Sequence, residues 1–378
     1  MGAERIALVA GDQRVDLLVR RRLDQDLGAE VFSQRVFLVS PGGRHLVHAT
    51  ADRALRVRGE RREHVIDRAG ERDVRFSADG RRMAALQESG SGGMSTVVLL
   101  DLDRDVERPL GQVYWPRWME WVERGVVVAH LDVAGKRPTL TYFPLDGQPR
   151  VLVSREGIEA RFTAASRGTR VMFFGGPADH RRIYTVEVDG GEPRVVGTLP
   201  DPAWNVEMAP DGREAAIVTH GALHRWTAGG PLEQLDRGRI IHTVWYSPDG
   251  AALAYASSER ATVLLPGGVR RDLDAPGGDL RALRFRRDGE GLVAVRGDTA
   301  LAWLPATGEI RVLAAARPGE TLQGADVYRG GVVLWTSSSG DGPPTTTAPT
   351  TTAPAASPPT ASPPAQRASA ARAQASPG

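Results

Sequence analysis

The 378-residue chain contains no cysteine. That excludes a disulfide framework, a thiolate-ligated zinc or iron–sulfur centre, and a thiol nucleophile. Lysine and asparagine are almost missing too. Lys136 and Asn205 are the only members of their types, and arginine supplies the rest of the 48 basic residues. Depletion of both together points to a GC-rich coding sequence more than to arginine chemistry. Aromatic residues are 6% of the chain, and no apolar run approaches the roughly 18 residues of a membrane-spanning helix. The segment Met1–Ala10 carries Glu4 and ends after six apolar residues, too short for a secretory leader. This implies a cytoplasmic protein, with the periplasm or cell envelope as the alternative if the start site is truncated.

Charge is balanced: 48 basic against 46 acidic residues, a net charge of +2. The two signs alternate closely, as in Arg58-Gly59-Glu60-Arg61-Arg62-Glu63. A nucleic-acid binder would gather its bases on one face or arm, so that class is excluded. What the chain has in abundance is glycine, 43 residues spread at turn-like positions. Evenly spaced turn residues predict many short strands in one all-β unit.

One motif recurs: an apolar segment, a tight turn ending in glycine, and a second apolar segment. The clearest copies read VRFSADGRRMAAL (74–86), VEMAPDGREAAIV (206–218) and TVWYSPDGAALAYA (243–256). Eight copies are anchored on Gly43, Gly80, Gly125, Gly168, Gly212, Gly250, Gly289 and Gly330, with an average spacing of 41 residues. In Ser247-Pro248-Asp249-Gly250 the proline presets φ, the aspartate bonds its own backbone and the glycine accepts positive φ. A second hairpin follows most copies, for example TYFPLDGQPRVLV (141–153) and YTVEVDGGEPRVVG (184–197). Four strands per 41 residues is a propeller blade. The expected fold is an all-β propeller of four-stranded blades, eight of them, with seven as the alternative.

The Ser-Pro-Asp-Gly and Ala-Pro-Asp-Gly turns, with the Asp-Gly-Gly-Glu-Pro-Arg hairpin, resemble the TolB-type, WD40-like (Pro-Asp-Gly repeat) bacterial propellers over about residues 30–337. The third, fourth and eighth copies depart from Pro-Asp-Gly, and no Trp-Asp dipeptide closes the third strands. The eighth copy supplies only two strands. Arg5–Ala10 and Arg14–Val19 read as a hairpin that completes it, so strands from both ends close one blade. A helix over residues 15–28 is the rival reading there. Residues 1–337 form the expected propeller. Residues 338–378, rich in Thr, Pro, Ala and Ser, read as a disordered tail.

Few residues announce chemistry. Asp101-Leu102-Asp103-Arg104-Asp105 opens like a calcium loop, but Val106 stands where glycine is needed and Gln112 where glutamate is, so a turn is favoured. His220 and His224 lack a third metal ligand. Gly90-Ser91-Gly92-Gly93-Met94 does not match the Gly-x-Ser-x-Gly elbow of propeller-linked hydrolases. Trp121 aligns with turn-flanking core residues. Trp115, Trp118 and Trp204 precede the innermost strands, where they either pack between blades or act as recognition anchors. In a propeller the inner-strand starts and the loops between second and third strands share one rim. That gathers Trp115, Trp118, Asp179, His180, Arg181, Trp204 and His242 around one mouth as the candidate binding residues.

No catalytic constellation, cofactor or metal site is read. The resemblance implies a monomeric, non-enzymatic binding or scaffold module that meets a protein or peptide partner through the channel face. The alternative is a propeller enzyme, a hydrolase or lyase, with its site at the channel mouth. The tail has no large apolar residue between Pro344 and Gly378. Removing residues 341–378 should therefore leave the melting temperature unchanged by scanning calorimetry, and a drop of several degrees would contradict the reading.

Overall fold

The Pro-Asp-Gly turns fold as their residues dictate. In the computed structural model, the Ser247 carbonyl accepts from the Gly250 amide at 2.8 Å. Asp249 Oδ1 accepts from the Ala251 amide at 3.0 Å, and Ser247 Oγ accepts from the Ala252 amide at 2.9 Å. Gly250 sits at φ +81°, a conformation that costs a side-chain-bearing residue dearly. Each such turn sends the chain back antiparallel and begins a blade.

The structure describes residues 3–338 apart from 11–12, 22–36, 50–53, 60–61, 68, 90–91, 133, 135–136, 176–180, 239, 258–259, 274–278, 287–290 and 329–330. The rival helix over 15–28 gives way to a strand, Gln13–Arg21, with the remainder outside the described residues. The turn glycines Gly289 and Gly330 also lie outside them.

Every sheet is antiparallel and, apart from one seven-stranded sheet and the closing sheet, four-stranded in simple sequence order. Blade 1 is Phe37–Val39, Leu46–Ala49, Leu55–Arg58 and Glu63–Ile66. Blade 2 opens with Ala69–Phe76, Arg82–Glu88 and Met94–Asp101. Its fourth strand is the first half of Val106–Val122, whose second half is the innermost strand of blade 3. Blade 3 continues with Gly125–Leu131, Pro138–Pro144 and Arg150–Ser154. Blades 4, 5, 6 and 7 have innermost strands Ile158–Ala164, Ala203–Met208, Thr243–Tyr246 and Leu280–Phe285. The last sheet joins Glu320–Tyr328 and Gly331–Ser338 to Ala3–Ala10 and Gln13–Arg21, in that order outward. The expected closure of one blade by strands from both ends is present, with Ala3 opposite Ser338.

The alternation of strand side chains gives each sheet two apolar faces, and each face is buried against a neighbouring blade. Leu38, Val57 and Ile66 of blade 1 pack on Val74, Met83 and Leu100 of blade 2. Similar clusters join 2 to 3, 3 to 4, 4 to 5, 5 to 6, 6 to 7 and 7 to 8. An eighth cluster, with Ile6, Tyr328 and Val333 against Phe37, Val39 and Leu46, joins the last blade to the first. The ring is closed by packing as well as by hydrogen bonds.

Ile6 and Ala7 of the N-terminal strand are fully buried. Deleting residues 1–21 removes two strands from the closing sheet and uncovers the edge of Gly331–Ser338, a template for pairing with other chains. The truncated protein should aggregate on size-exclusion chromatography. A soluble monomer with the parent melting temperature would refute closure by this hairpin.

Candidate functional site

Antiparallel order places the starts of the innermost strands and the ends of the second strands on one rim, opposite the Pro-Asp-Gly turns. On this mouth rim, between blades 3 and 4, lies a cavity of about 260 Å³ lined by Arg117, His130, Pro138, Thr139, Leu140 and Ile158 among others. The site is assembled by pairing: Trp118 on the innermost strand faces Ala129 on the second, and His130 faces Thr139 on the third. Strand geometry thus brings Arg117 and His130 to the same opening from segments with no sequence motif in common.

His130 is held at both ring nitrogens. Nδ1 lies 2.6 Å from the Leu131 carbonyl, and Nε2 lies 2.8 Å from Thr141 Oγ1. A carbonyl can only accept, so Nδ1 carries the proton and Nε2 presents its lone pair to the Thr141 hydroxyl. Burial pushes the histidine below its usual pKa, against the opposing pull of the Leu131 carbonyl and Asp132. Both nitrogens are thus partnered within blade 3, and a proton reaches Nε2 by way of the Thr141 hydroxyl that it faces. Thr139 Oγ1 lies 3.0 Å from Ser154 Oγ, which adds a hydroxyl pair beside it. Arg117 is exposed and forms no ion pair among the described residues. Its guanidinium remains available to a ligand anion.

The tryptophans on this rim differ from one another. Trp118 is half-buried against the cluster between blades 3 and 4, and its Nε1–H donates to Glu120 at 2.7 Å. The same Glu120 accepts two bonds from Arg75 of blade 2, at 3.2 and 3.3 Å, and Arg75 lies 5.1 Å over the Trp118 ring. Arg161 of blade 4 approaches that ring at 5.8 Å. Trp204 is half-buried between blades 5 and 6, with its Nε1–H on the Thr219 carbonyl and His242 edge-on at 6.4 Å. Arg181 donates to the Pro200 carbonyl at 2.9 Å. Trp115 is 48% exposed. Asp179 and His180 lie outside the described residues. Of the seven rim residues, Trp204 and His242 are brought together, and Trp118 flanks the cavity through its neighbour Arg117.

His220 is exposed in a tight turn, whereas His224 is buried beneath it at 3.4 Å from Thr219 Oγ1. Asp101 Oδ1 accepts from the Arg104 amide, which closes a turn between strands as favoured over a calcium loop. Among the described residues no group of three histidines or carboxylates is placed to hold a metal ion. No helix there is long and apolar enough to cross a membrane.

No protein-family model matches the chain, and neither does any curated protein. Solved structures do resemble it. One from a study of two prolyl endopeptidases is similar with a TM-score of 0.57 and 14% identity, over 82% of this chain and 55% of that one. The chain therefore spans little more than half the length of that enzyme. An oligogalacturonate lyase in complex with manganese matches with a TM-score of 0.51 and 13% identity, over 80% of this chain and 97% of the lyase. Hsv2 of Kluyveromyces lactis matches with a TM-score of 0.50 and 13% identity, over 74% and 98%. At such identities the likeness shows the fold, a β-propeller.

The expectation of a non-enzymatic scaffold is corrected by these findings. The first two structures are enzymes, so the propeller fold gives no ground for preferring a scaffold. The physical reason the sequence misled is local. It shows Arg117 and His130 as scattered polar residues, and only cross-strand pairing makes them neighbours of one cavity.

The Arg75–Glu120 contact fixes Trp118 between two blades, with the Arg75 side chain only 7% exposed. Glu120→Ala takes away the carboxylate shared by Arg75 and Trp118. It should cost about 3 kcal/mol of stability in urea unfolding, as for a broken buried pair. A loss under 0.5 kcal/mol would show that Trp118 is held by packing alone.

Proposed function

We propose that the chain is the propeller of an enzyme, a hydrolase or lyase, whose active site is the mouth cavity between blades 3 and 4. His130 takes the proton at Nε2 through the Thr141 hydroxyl, which accepts one from the substrate in turn, and Arg117 holds an anionic group of the substrate. The observation that carries the reading is the state of His130: neutral, with its tautomer set by the Leu131 carbonyl, and placed at an opening that also presents an exposed arginine. The likeness to a prolyl endopeptidase and to an oligogalacturonate lyase supports an enzyme. The other described rim residues, Trp115, Trp118, Arg181, Trp204 and His242, are assigned to substrate recognition. The Pro-Asp-Gly turns support a TolB-type kinship for the fold.

The purified chain should be assayed against polygalacturonate, followed by the ultraviolet absorbance of an unsaturated product, and against chromogenic peptide and ester substrates. On the substrate that is turned over, His130→Gln should lower kcat by roughly a hundredfold or more, as removal of a general base does. Arg117→Gln should act mainly on KM. The pH profile should hold level through neutrality and fall on the acid side below the ordinary histidine pKa of 6.5, where Nε2 becomes protonated. Unchanged kcat and an unchanged acid limb in His130→Gln would overturn the assignment.

A further inference from the structure

Trp115 occupies a conformation that its side chain disfavours. Its φ is +49°, and Asp105 is the one other described non-glycine residue with positive φ. Asp105 lies in a hairpin turn, where a short polar side chain tolerates the left-handed region. Trp115 instead marks the point where the shared strand passes from blade 2 to blade 3. A bend there needs a residue that accepts positive φ, and glycine or asparagine would supply it without strain. The bend therefore explains the backbone but not the indole.

The indole has its own seat. Gly93 lies beneath it at φ +82°, and a Cβ there would fall 2.4 Å from Trp115 Nε1, so only glycine leaves room. The Trp115 amide donates to the Gly93 carbonyl at 2.7 Å, and Tyr114 meets the ring edge-on at 6.2 Å. Despite this anchoring the indole is 48% exposed, whereas the other large exposed apolar side chains are valines and one isoleucine. Strain maintained to hold an aromatic in solvent is a mark of a binding site formed before its ligand arrives. Two residues further along the strand stands Arg117, at the cavity.

We propose that Trp115 is a stacking platform for a sugar ring bearing a carboxylate, with Arg117 holding the carboxylate. A flat indole receives the C–H face of a pyranose, and the exposed guanidinium takes a carboxylate in two parallel bonds. A cationic ligand is disfavoured by the same arginine. A peptide is disfavoured because the cavity's second and third strands, Gly125–Leu131 and Pro138–Pro144, are paired on both edges, so neither offers backbone for strand addition. This deepens the reading of the mouth cavity as the substrate site and rests on it.

The test is titration calorimetry of the full chain with a galacturonate trisaccharide, its methyl ester, and a prolyl peptide with a free C-terminus. The acid should bind at least tenfold tighter than the ester. Trp115→Ala should weaken both saccharides tenfold or more, and Arg117→Gln should abolish the preference for the acid. Trp115→Gly should melt above Trp115→Ala, because glycine accepts the +49° backbone, which shows that the platform and not the fold was lost. No saccharide binding by the parent protein, unchanged binding by Trp115→Ala, or preference for the peptide would each overturn the proposal. Loss of turnover in His130→Gln alongside any of those results would leave the catalytic reading standing while the platform falls.

Discussion

The structure depends on apolar packing between consecutive sheets that returns to its starting point. Each blade has two hydrophobic faces and neither can be left in water, so every blade requires a neighbour on both sides. An open row of such sheets would leave two faces bare; a ring leaves none. The cluster of Ile6, Tyr328 and Val333 with Phe37, Val39 and Leu46 is where this requirement is met. Polar links also cross the seams, from His64–Asp105 between blades 1 and 2 to Arg270–Asp236 between blades 5 and 6. Arg75–Glu120 and Arg284–Asp326 occupy matching places on innermost strands, each joining one blade to the next, and Asp326 is fully buried. Such links add little to burial of this extent, but they fix how adjacent blades are aligned.

A ring held in this way frees its rims. Residues at the mouth are not needed for closure, so they can carry a half-buried neutral histidine, an exposed arginine and a strained tryptophan without loss of the fold. Blades 3 and 4 pack together through Val127, Leu140, Phe162 and Phe173. The cavity opens only where that packing ends at the rim. His130 is thus desolvated enough to stay neutral and still borders the opening.

The fold was legible because its signals are local. Pro-Asp-Gly demands a turn, and the alternating runs beside it demand strands, so copies at an even spacing imply repeated hairpins whatever the rest of the chain does. Even an atypical copy was placed correctly for a different reason. Gly125 shows no positive φ; a Cβ there would instead meet the Phe143 carbonyl at 2.3 Å. The strand shared by blades 2 and 3 could not be read. Pro109, Gly111 and Pro116 punctuate it like a loop, and the ladder accommodates them through register shifts. The site was half legible. The aromatic cluster at Trp115 and Trp118 lies on the same rim as the cavity, but the Trp118–Ala129 pairing that brings Arg117 to His130 is a matter of register, which composition does not encode.

The continuous strand Val106–Val122 has a mechanical meaning. At the other blade junctions the chain crosses by a connection, and neighbouring sheets meet through side chains that can slide. Between blades 2 and 3 one strand serves both sheets, its first half paired with Met94–Asp101 and its second with Gly125–Leu131. Shear there must stretch covalent backbone and hydrogen bonds, so breathing of the ring is displaced to the other seams. The seam between blades 3 and 4 is the next one along, and it carries the cavity. One of its walls is tied through this strand to blade 2, whereas the other, blade 4, meets it through side chains. A ligand entering there would press against one wall backed by covalent chain and another held by side-chain contacts.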